Sequence, residues 1–237
     1  MVKDRWRWIA VSLAPVLAFT SVALAGGYVP GVTVTATGEY ASRPVIHIVD
    51  GSGLTLNLDG VDGTHTVLED GKMWLGGPPA GDDNPEVYFD LGQIHYIEYM
   101  MFWNYNGPAA AGIGVQEADI YYSTDSDPGT ATWTLLTDDQ VFSPGLGDDV
   151  TPFGQMVPIA VSARLIKLDI DKGLIDQTFP GGTGWTGISE VRFYDPNLCV
   201  NPSVGDIDKS CLVDLVDFAE FVADWLVCGM DPPEACF

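Results

Sequence analysis

The chain has 237 residues, and its 33 acidic residues against 10 Lys and Arg give a formal net charge of −23. This charge argues against binding to nucleic acids or anionic lipids, because contacts with phosphate groups need clustered Lys or Arg. Glycine is abundant, with 27 residues, and helical periodicity is absent before the C-terminal tail, which favours a mainly β protein.

The first 25 residues predict a cleaved signal peptide. Three basic residues precede an apolar run over residues 9–24, and Ala23, Leu24 and Ala25 supply the small-residue pattern of a cleavage site. The alternative is a membrane anchor, but the run is short, interrupted by Pro15 and followed by glycines. We therefore expect a secreted or cell-surface protein with no membrane insertion after cleavage, carrying 7 basic and 32 acidic residues.

Residues 26–195 predict an antiparallel β-sandwich of the jelly-roll type. Short β-prone runs with alternating apolar residues are separated by Gly, Asp and Pro turns, and they occur at residues 33–37, 45–49, 86–104, 118–123, 132–137, 166–170 and 190–194. Pro128 and Gly129 fix the turn of the hairpin between the fourth and fifth runs. Trp74 and Trp103 occupy strand positions, which favours core packing for both.

Residues 196–237 predict a small second unit. Apolar residues recur there at three- and four-residue steps from Leu215 to Trp225, which predicts an amphipathic helix. All four cysteines lie in this tail, and in an exported protein they predict two disulfides. Three pairings remain open, with a preference for sequence neighbours, among Cys199, Cys211, Cys228 and Cys236.

The tail also contains a predicted calcium loop at residues 206–217. Oxygen-bearing groups occupy positions 1, 3, 5, 7, 9 and 12 of an EF-type loop, namely Asp206, Asp208, Ser210, the Leu212 carbonyl, Asp214 and Asp217. This stretch resembles one calcium repeat of a dockerin, except that Cys211 stands where Gly is usual. A full dockerin has two such repeats and this chain has one, so a protein partner for the tail stays open.

Four segments of the larger unit resemble the discoidin or coagulation-factor type C domain, which has the galactose-binding-like fold. They are VYFDLGQIHYIEYMMFWNYN, ADIYYSTDSDPGTATWTLL, ARLIKLDI and GISEVRFYDP. The resemblance implies a jelly-roll sandwich and a structural calcium ion that joins an early loop to the last strand. Carried over by position, the calcium ligands are Asp50, backbone carbonyls of residues 50–54, and Glu190.

The resemblance also implies a ligand site in the loops at one end of the sandwich. Sugar sites combine an aromatic ring, which packs against the apolar face of a pyranose, with fixed hydrogen-bonding groups. The candidates are Trp185 beside a Gly-rich loop, Tyr105 and Asn106 after the long strand, and His65. An arginine that is common after the WNYN segment is missing here, which argues against ordinary galactose recognition.

Three functions compete. The leading hypothesis is a non-catalytic protein that binds an extracellular polysaccharide or glycoconjugate, with the tail as a docking or stabilising unit. The second is adhesion or assembly at a cell surface through protein contacts without sugar. An enzyme is the third, but the three histidines lack zinc-protease spacing and no Gly-x-Ser-x-Gly elbow occurs.

Overall fold

The computed structural model describes most of the predicted sandwich and part of the tail. The described residues are 26–57, 61–68, 71–77, 85–107, 112–170, 179, 185–198, 205–207, 213 and 215–225. The predicted signal peptide, the Gly-rich residues 181–184 and all four cysteines lie outside these ranges. Signal cleavage and disulfide pairing therefore stay predictions.

The architecture is a mainly β antiparallel sandwich. Its strands are β1 (Gly27–Tyr28), β2 (Thr33–Ala36), β3 (Leu54–Leu56), β4 (Gly63–His65), β5 (Trp74–Gly76), β6 (Glu86–Asn104), β7 (Glu117–Ser123), β8 (Thr134–Val141), β9 (Gln155–Asp169) and β10 (Thr186–Asp195). The main sheet runs in the order β1-β10-β6-β9-β7-β8, while β2 also pairs with β6 and β5 with β10. The β3–β4 hairpin forms a separate small sheet.

The long strands β6 and β9 connect the layers of the sandwich. Their pairing shifts register between Asp90 and His95 and again between Ile97 and Tyr99. β-bulges of this kind bend a strand and increase its twist. Before the first shift β6 pairs with β2, and after the second it pairs with β10. The predicted strand over 86–104 is therefore confirmed, although Gly92 lies within it at φ +82° and does not end it.

Apolar residues from these strands fill one large core. The ring of Phe89 on β6 meets that of Phe193 on β10 edge-on, with centroids 5.1 Å apart, and the ring centroids of Phe102 and Phe142 are 4.1 Å apart. The predicted core position of Trp74 is confirmed, because it is fully buried and its indole N–H donates to a backbone carbonyl. Trp103 is likewise buried under the β3–β4 hairpin.

The predicted strand over 45–49 is wrong, because Val45–Ile48 form a short 3-10 helix. Pro44 precedes it at φ −69° as the N-cap. Val45 and Ile48 are buried while Ile46 is exposed. A spacing of three residues matches one turn of a 3-10 helix, so the buried residues of this run follow a period of three and not the period of two of a strand.

The tail helix is confirmed as α1 (Leu215–Trp225). Its apolar face is exposed to solvent, since Leu215 is 82% and Phe218 62% accessible. Among the described residues, no helix combines the length and apolar character needed to cross a bilayer.

Candidate functional site

One end of the sandwich presents a pair of aromatic side chains at its surface. The rings of Tyr40 and Trp185 meet edge-on, with centroids 5.4 Å apart and planes at 80°. Tyr40 is exposed and Trp185 is half-buried. The inner side of Trp185 packs on a small buried cluster, so the ring is held by the core and still reaches solvent. We call Tyr40, Arg43 and Trp185 the aromatic corner.

The backbone around β5 positions this corner. The N–H of Tyr40 donates to the Leu75 carbonyl at 2.8 Å, and the N–H of Leu75 donates to the Arg43 carbonyl at 3.2 Å. A tight turn thereby holds Tyr40 and Arg43 against one edge of β5. Trp185 arrives from the opposite side of the same strand, because the next residue, Thr186, pairs with Gly76.

Tyr105 orients the arginine of the corner. Arg43 Nη1 donates to the Tyr105 hydroxyl at 2.7 Å, and the Tyr105 ring is fully buried. Gly187 allows the close packing of that ring, because a Cβ there would lie 2.4 Å from Tyr105 Cδ2. Tyr105 therefore acts through Arg43 and presents no ring face to solvent.

Asn106 ties the loops at this end together. Its Nδ2 donates to the carbonyls of His65 and Asp148 at 2.6 and 2.7 Å, and its Oδ1 accepts from the N–H groups of Leu146 and Gly147. The side chain is fully buried and all its hydrogen-bonding groups are used. The structure gives Asn106 a positioning role rather than a solvent-facing one.

A group of charged side chains lies beneath the loop at residues 50–54, and we call it the Glu190 cluster. Glu190 is fully buried on β10, and its Oε1 accepts from the Gly51 N–H at 3.2 Å and pairs with Arg192 Nη2 at 2.7 Å. Its Oε2 is buried without a hydrogen-bond partner. Asp50 is fixed at the start of the loop, with Oδ1 accepting from the Ser52 N–H at 2.7 Å.

The two carboxyl groups of this cluster have opposite pKa shifts. Burial raises the pKa of Glu190 to about 8; Arg192 opposes the shift and the charge of Asp50 adds to it. Burial also disfavours the charged form of Asp50, but hydrogen bonds from Ser52 and His47 outweigh it and lower its pKa. A cation close to Glu190 Oε2 would add to the positive charge of Arg192 and favour the charged form of Glu190.

His65 lies at the edge of the Glu190 cluster. It is fully buried, its Nδ1 lies 3.1 Å from the Thr66 carbonyl, and its Nε2 has no hydrogen-bond partner. Burial lowers the pKa of this imidazole, so the ring is held in its neutral form. Gly53 packs directly on the ring, because a Cβ there would lie 2.6 Å from His65 Cε1.

The predicted calcium loop of the tail is described in part. Asp206 and Asp217 are both buried, and the Ile207 N–H donates to Asp217 Oδ1 at 2.6 Å. The first and last positions of the loop therefore come together beside the start of α1. The other predicted ligands lie outside the described residues, namely Asp208, Ser210, Leu212 and Asp214.

The structure thus divides the predicted ligand residues. Trp185 reaches the surface, whereas Tyr105, Asn106 and His65 are buried and hold the loops in place. The sequence does not identify Tyr40 and Arg43 as site residues. Their turn is far from Trp185 in the chain, and no local pattern links that turn to the tryptophan. Only the pairing of β5 with β10 brings the turn and Trp185 together.

No protein-family profile and no curated protein matches the chain. Solved structures of similar shape include the family 32 carbohydrate-binding module of NanJ from Clostridium perfringens in complex with galactose. It is 15% identical, with a TM-score of 0.48 over 72% of this chain and 99% of that module. An F5/8 type C domain from Bacteroides fragilis is 12% identical, with a TM-score of 0.47 over 73% and 97%. At such low identities a similarity of shape says nothing about which ligand this chain binds.

Proposed function

We propose that the protein is a non-catalytic glycan-binding protein and that the aromatic corner contacts the sugar. The observation that carries the proposal is the half-exposed ring of Trp185, set edge-on to Tyr40 beside a fixed guanidinium. Aromatic faces pack on the C–H face of a pyranose, and a few fixed polar groups set orientation and specificity. The sequence resemblance to discoidin-type domains supports the same function.

The geometry separates the roles of the three residues. Trp185 offers the stacking surface, because its inner side is already anchored. Tyr40 limits the space beside that ring and is itself exposed to solvent. Arg43 has five donors in a rigid fork, and its bond to the Tyr105 hydroxyl fixes the fork before a ligand arrives. A preorganised site of this kind loses little entropy on binding.

The test is a panel of polysaccharides and oligosaccharides titrated against the purified protein. We expect Trp185→Ala to weaken the best ligand at least about tenfold, from the loss of one stacked ring with its buried area. Tyr96→Ala is the matched control, since Tyr96 is also an exposed aromatic residue but lies in the middle of β6. No binding to any glycan by the folded protein would overturn the proposal and favour an adhesion role through protein contacts.

We also propose that the Glu190 cluster holds a structural calcium ion. Calcium takes about six to eight oxygen ligands, including carboxylates and backbone carbonyls. Glu190 Oε2 is a buried oxygen without a partner, Asp50 stands at the edge of the same loop, and the carbonyls of residues 50–54 are within the loop itself. These oxygens are the ligand types that calcium prefers, and the ion would share Glu190 with the Arg192 guanidinium, which pairs with Oε1 at 2.7 Å. Calcium would pin the loop to β10 beside the Asn106 network.

The export and tail hypotheses remain part of this proposal. We propose that the protein is secreted or displayed at the cell surface, and that the loop at 206–217 binds a second calcium ion. The hydrogen bond from the Ile207 N–H to Asp217, together with the burial of Asp206 and Asp217, supports a closed loop. The exposed apolar face of α1 offers a place for a protein partner. Limited proteolysis of the tail with calcium and with chelator tests the loop, and equal cleavage in both would count against it.

A further inference from the structure

Arg192 of β10 lies directly beneath the loop at residues 50–54. It is two residues from Glu190, so both side chains lie on the same face of the strand, while Val191 between them enters the main core. The Arg192 Nη2 pairs with Glu190 Oε1 at 2.7 Å. A Cβ at Gly51 would lie 2.7 Å from the same Nη2, and Gly51 has φ +73°. The guanidinium therefore touches the loop at a position where glycine leaves room for it.

This guanidinium already makes the connection that a bound cation would make. Glu190 Oε1 accepts from the Gly51 N–H at 3.2 Å and is also paired with Arg192. One carboxylate oxygen therefore joins the loop, β10 and a positive charge. A pair between a carboxylate and a guanidinium supplies fixed geometry as well as charge. The loop thus contacts β10 through a side-chain cation.

The loop also has hydrogen bonds of its own. The Gly51 carbonyl accepts from the N–H groups of Gly53 and Leu54 at 2.9 and 3.2 Å, and the Gly53 carbonyl accepts from the Thr66 N–H at 2.9 Å. The Gly51 carbonyl thereby has both of its lone pairs occupied. These contacts close the loop and reduce what its carbonyls can offer to calcium.

Arg192 and calcium would compete for the same carboxylate. A divalent ion at Glu190 Oε2 would stand close to the guanidinium at Oε1, in a buried place where like charges repel strongly. The Arg192 Nε is buried and has no hydrogen-bond partner among the described residues, while its side chain still reaches solvent at 25% exposure. The guanidinium is therefore held mainly by Glu190 and could turn towards solvent when an ion enters.

We propose that Arg192 acts as a built-in cation of the Glu190 cluster, which holds the loop closed on β10 and competes with calcium for Glu190. The inference rests on the calcium site proposed above and deepens it, because it identifies the side chain that sets the calcium affinity of that site. Calcium should bind weakly while Arg192 is in place and more tightly once its charge is removed. Without calcium, the pair of Arg192 with Glu190 should keep the loop in place.

The loop that Arg192 holds is connected to the Asn106 network. The Thr66 N–H donates to the Gly53 carbonyl, and the carbonyl of the preceding residue, His65, accepts from Asn106 Nδ2 at 2.6 Å. Closure by a side chain therefore lets this end of the sandwich keep its packing as the calcium concentration varies.

The test is calorimetric titration of calcium chloride into the full protein at pH 9, above the raised pKa of Glu190. The heat that Glu190→Gln removes belongs to this cluster, because the tail loop is the same in every variant. We expect Arg192→Met to bind calcium there at least about tenfold more tightly than the wild type. Arg192→Lys, which keeps the charge, should stay within about threefold of the wild type.

Arg164→Met is the matched control for these variants. It also removes one guanidinium, but that group pairs with Asp90 at 3.0 Å and does not belong to the cluster. Its calcium affinity at the Glu190 cluster should equal that of the wild type. A tightening shared by Arg192→Met and Arg164→Met would show that overall charge alone is responsible, and it would overturn the inference.

Thermal unfolding in chelator gives a second readout. Arg192→Met leaves the buried Glu190 without its partner, so it should unfold at least about 5 °C below the wild type. At one fixed calcium concentration this deficit should shrink, because the variant binds the ion more tightly. A variant that folds only when calcium is added would be the same result in a stronger form. A melting temperature in chelator equal to that of the wild type would overturn the role of Arg192 in holding the loop.

The calcium titrations separate this inference from the proposed calcium site. Equal affinity of folded Arg192→Met and the wild type, with heat that Glu190→Gln removes, would overturn the inference and leave the site standing. Weaker binding by Arg192→Met would do the same, because it would show that Arg192 orients Glu190 for the ion. Heat that does not depend on Glu190 in either protein would refute the site and the inference together. Glycan binding at the aromatic corner is measured separately and decides none of these outcomes.

Discussion

Replacing Glu190 with Gln should remove the contribution of this carboxyl group to the pH dependence of stability in the calcium-free protein. The pKa of this buried carboxyl is raised from 4.5 to about 8. Between these values the folded state binds more protons than the unfolded state, so stability falls as pH rises through this window. A shift of this size corresponds to about 5 kcal/mol above pH 8, as an upper limit. Glu190→Gln removes the titration and keeps an oxygen that can accept from Gly51.

The assay is guanidinium-induced unfolding at pH 5, 7 and 9, with calcium and with chelator. In chelator at pH 9 we expect Glu190→Gln to be more stable than the wild type by up to a few kcal/mol, and the difference should vanish near pH 5. With calcium at about 100 times its dissociation constant, the wild type should gain about 2.7 kcal/mol. Calcium should stabilise Glu190→Gln by less than this, because the variant lacks the Glu190 carboxylate as a ligand.

The control for this experiment is Glu98→Gln, which removes the same charge from an exposed position on β6. It should follow the wild type at every pH. Parallel pH profiles for the wild type and Glu190→Gln in chelator would refute the raised pKa. Equal stabilisation of both by calcium would refute Glu190 as a ligand, whatever the tail loop contributes, because that contribution is common to both proteins.

Three further outcomes follow from the contacts at the loop end and around Lys167. Asn106→Ala should lower the free energy of unfolding in urea by about 2–4 kcal/mol, because the buried His65 carbonyl and three part-buried backbone groups lose their partner; a loss below about 1 kcal/mol would contradict the positioning role. Tyr105→Phe should lower the free energy of thermal unfolding by about 1 kcal/mol and weaken glycan binding in titrations, since Arg43 loses its hydrogen bond to the Tyr105 hydroxyl. Unchanged affinity would show that Arg43 does not contact the glycan. Lys167→Met should lower stability at pH 7 by about 2–4 kcal/mol, since it removes the ammonium group that Glu86 and Asp169 share. That loss should shrink below about pH 4 as the carboxylates protonate, and a loss independent of pH would argue against it.

Much of the sheet could be predicted from period-two patterns because those strands have one buried face. Phe89, Leu168 and Phe193 each alternate with polar neighbours, and each is buried on a strand where the pattern placed it. The prediction for 45–49 was wrong for the opposite reason, since its apolar residues come in two adjacent pairs on either side of His47 and do not alternate with polar ones. Only the spacing of the buried pair, Val45 and Ile48, distinguishes a 3-10 turn from a strand.

The candidate site was harder to predict because exposure depends on how distant segments meet. Polar and aromatic residues in a loop look alike in sequence whether they face solvent or another loop. Tyr105 and Asn106 are buried because the segment around residues 145–148 folds over them. Tyr40 and Arg43 are next to Trp185 because β5 pairs with β10. Neither arrangement leaves a local periodicity.

The pairing of β1 with β10 has a consequence for how this sandwich can be connected to other chains. Gly27 lies opposite Asp195 and Tyr28 opposite Tyr194, so the two ends of the domain are neighbours in one antiparallel ladder. Adjacent strands are about 4.8 Å apart. A few glycines could therefore join residue 195 to residue 27, and new ends could be opened in the exposed turn at 124–130 between β7 and β8. The same geometry would let the domain be inserted whole into a surface loop of a host protein, with little separation between the two junctions.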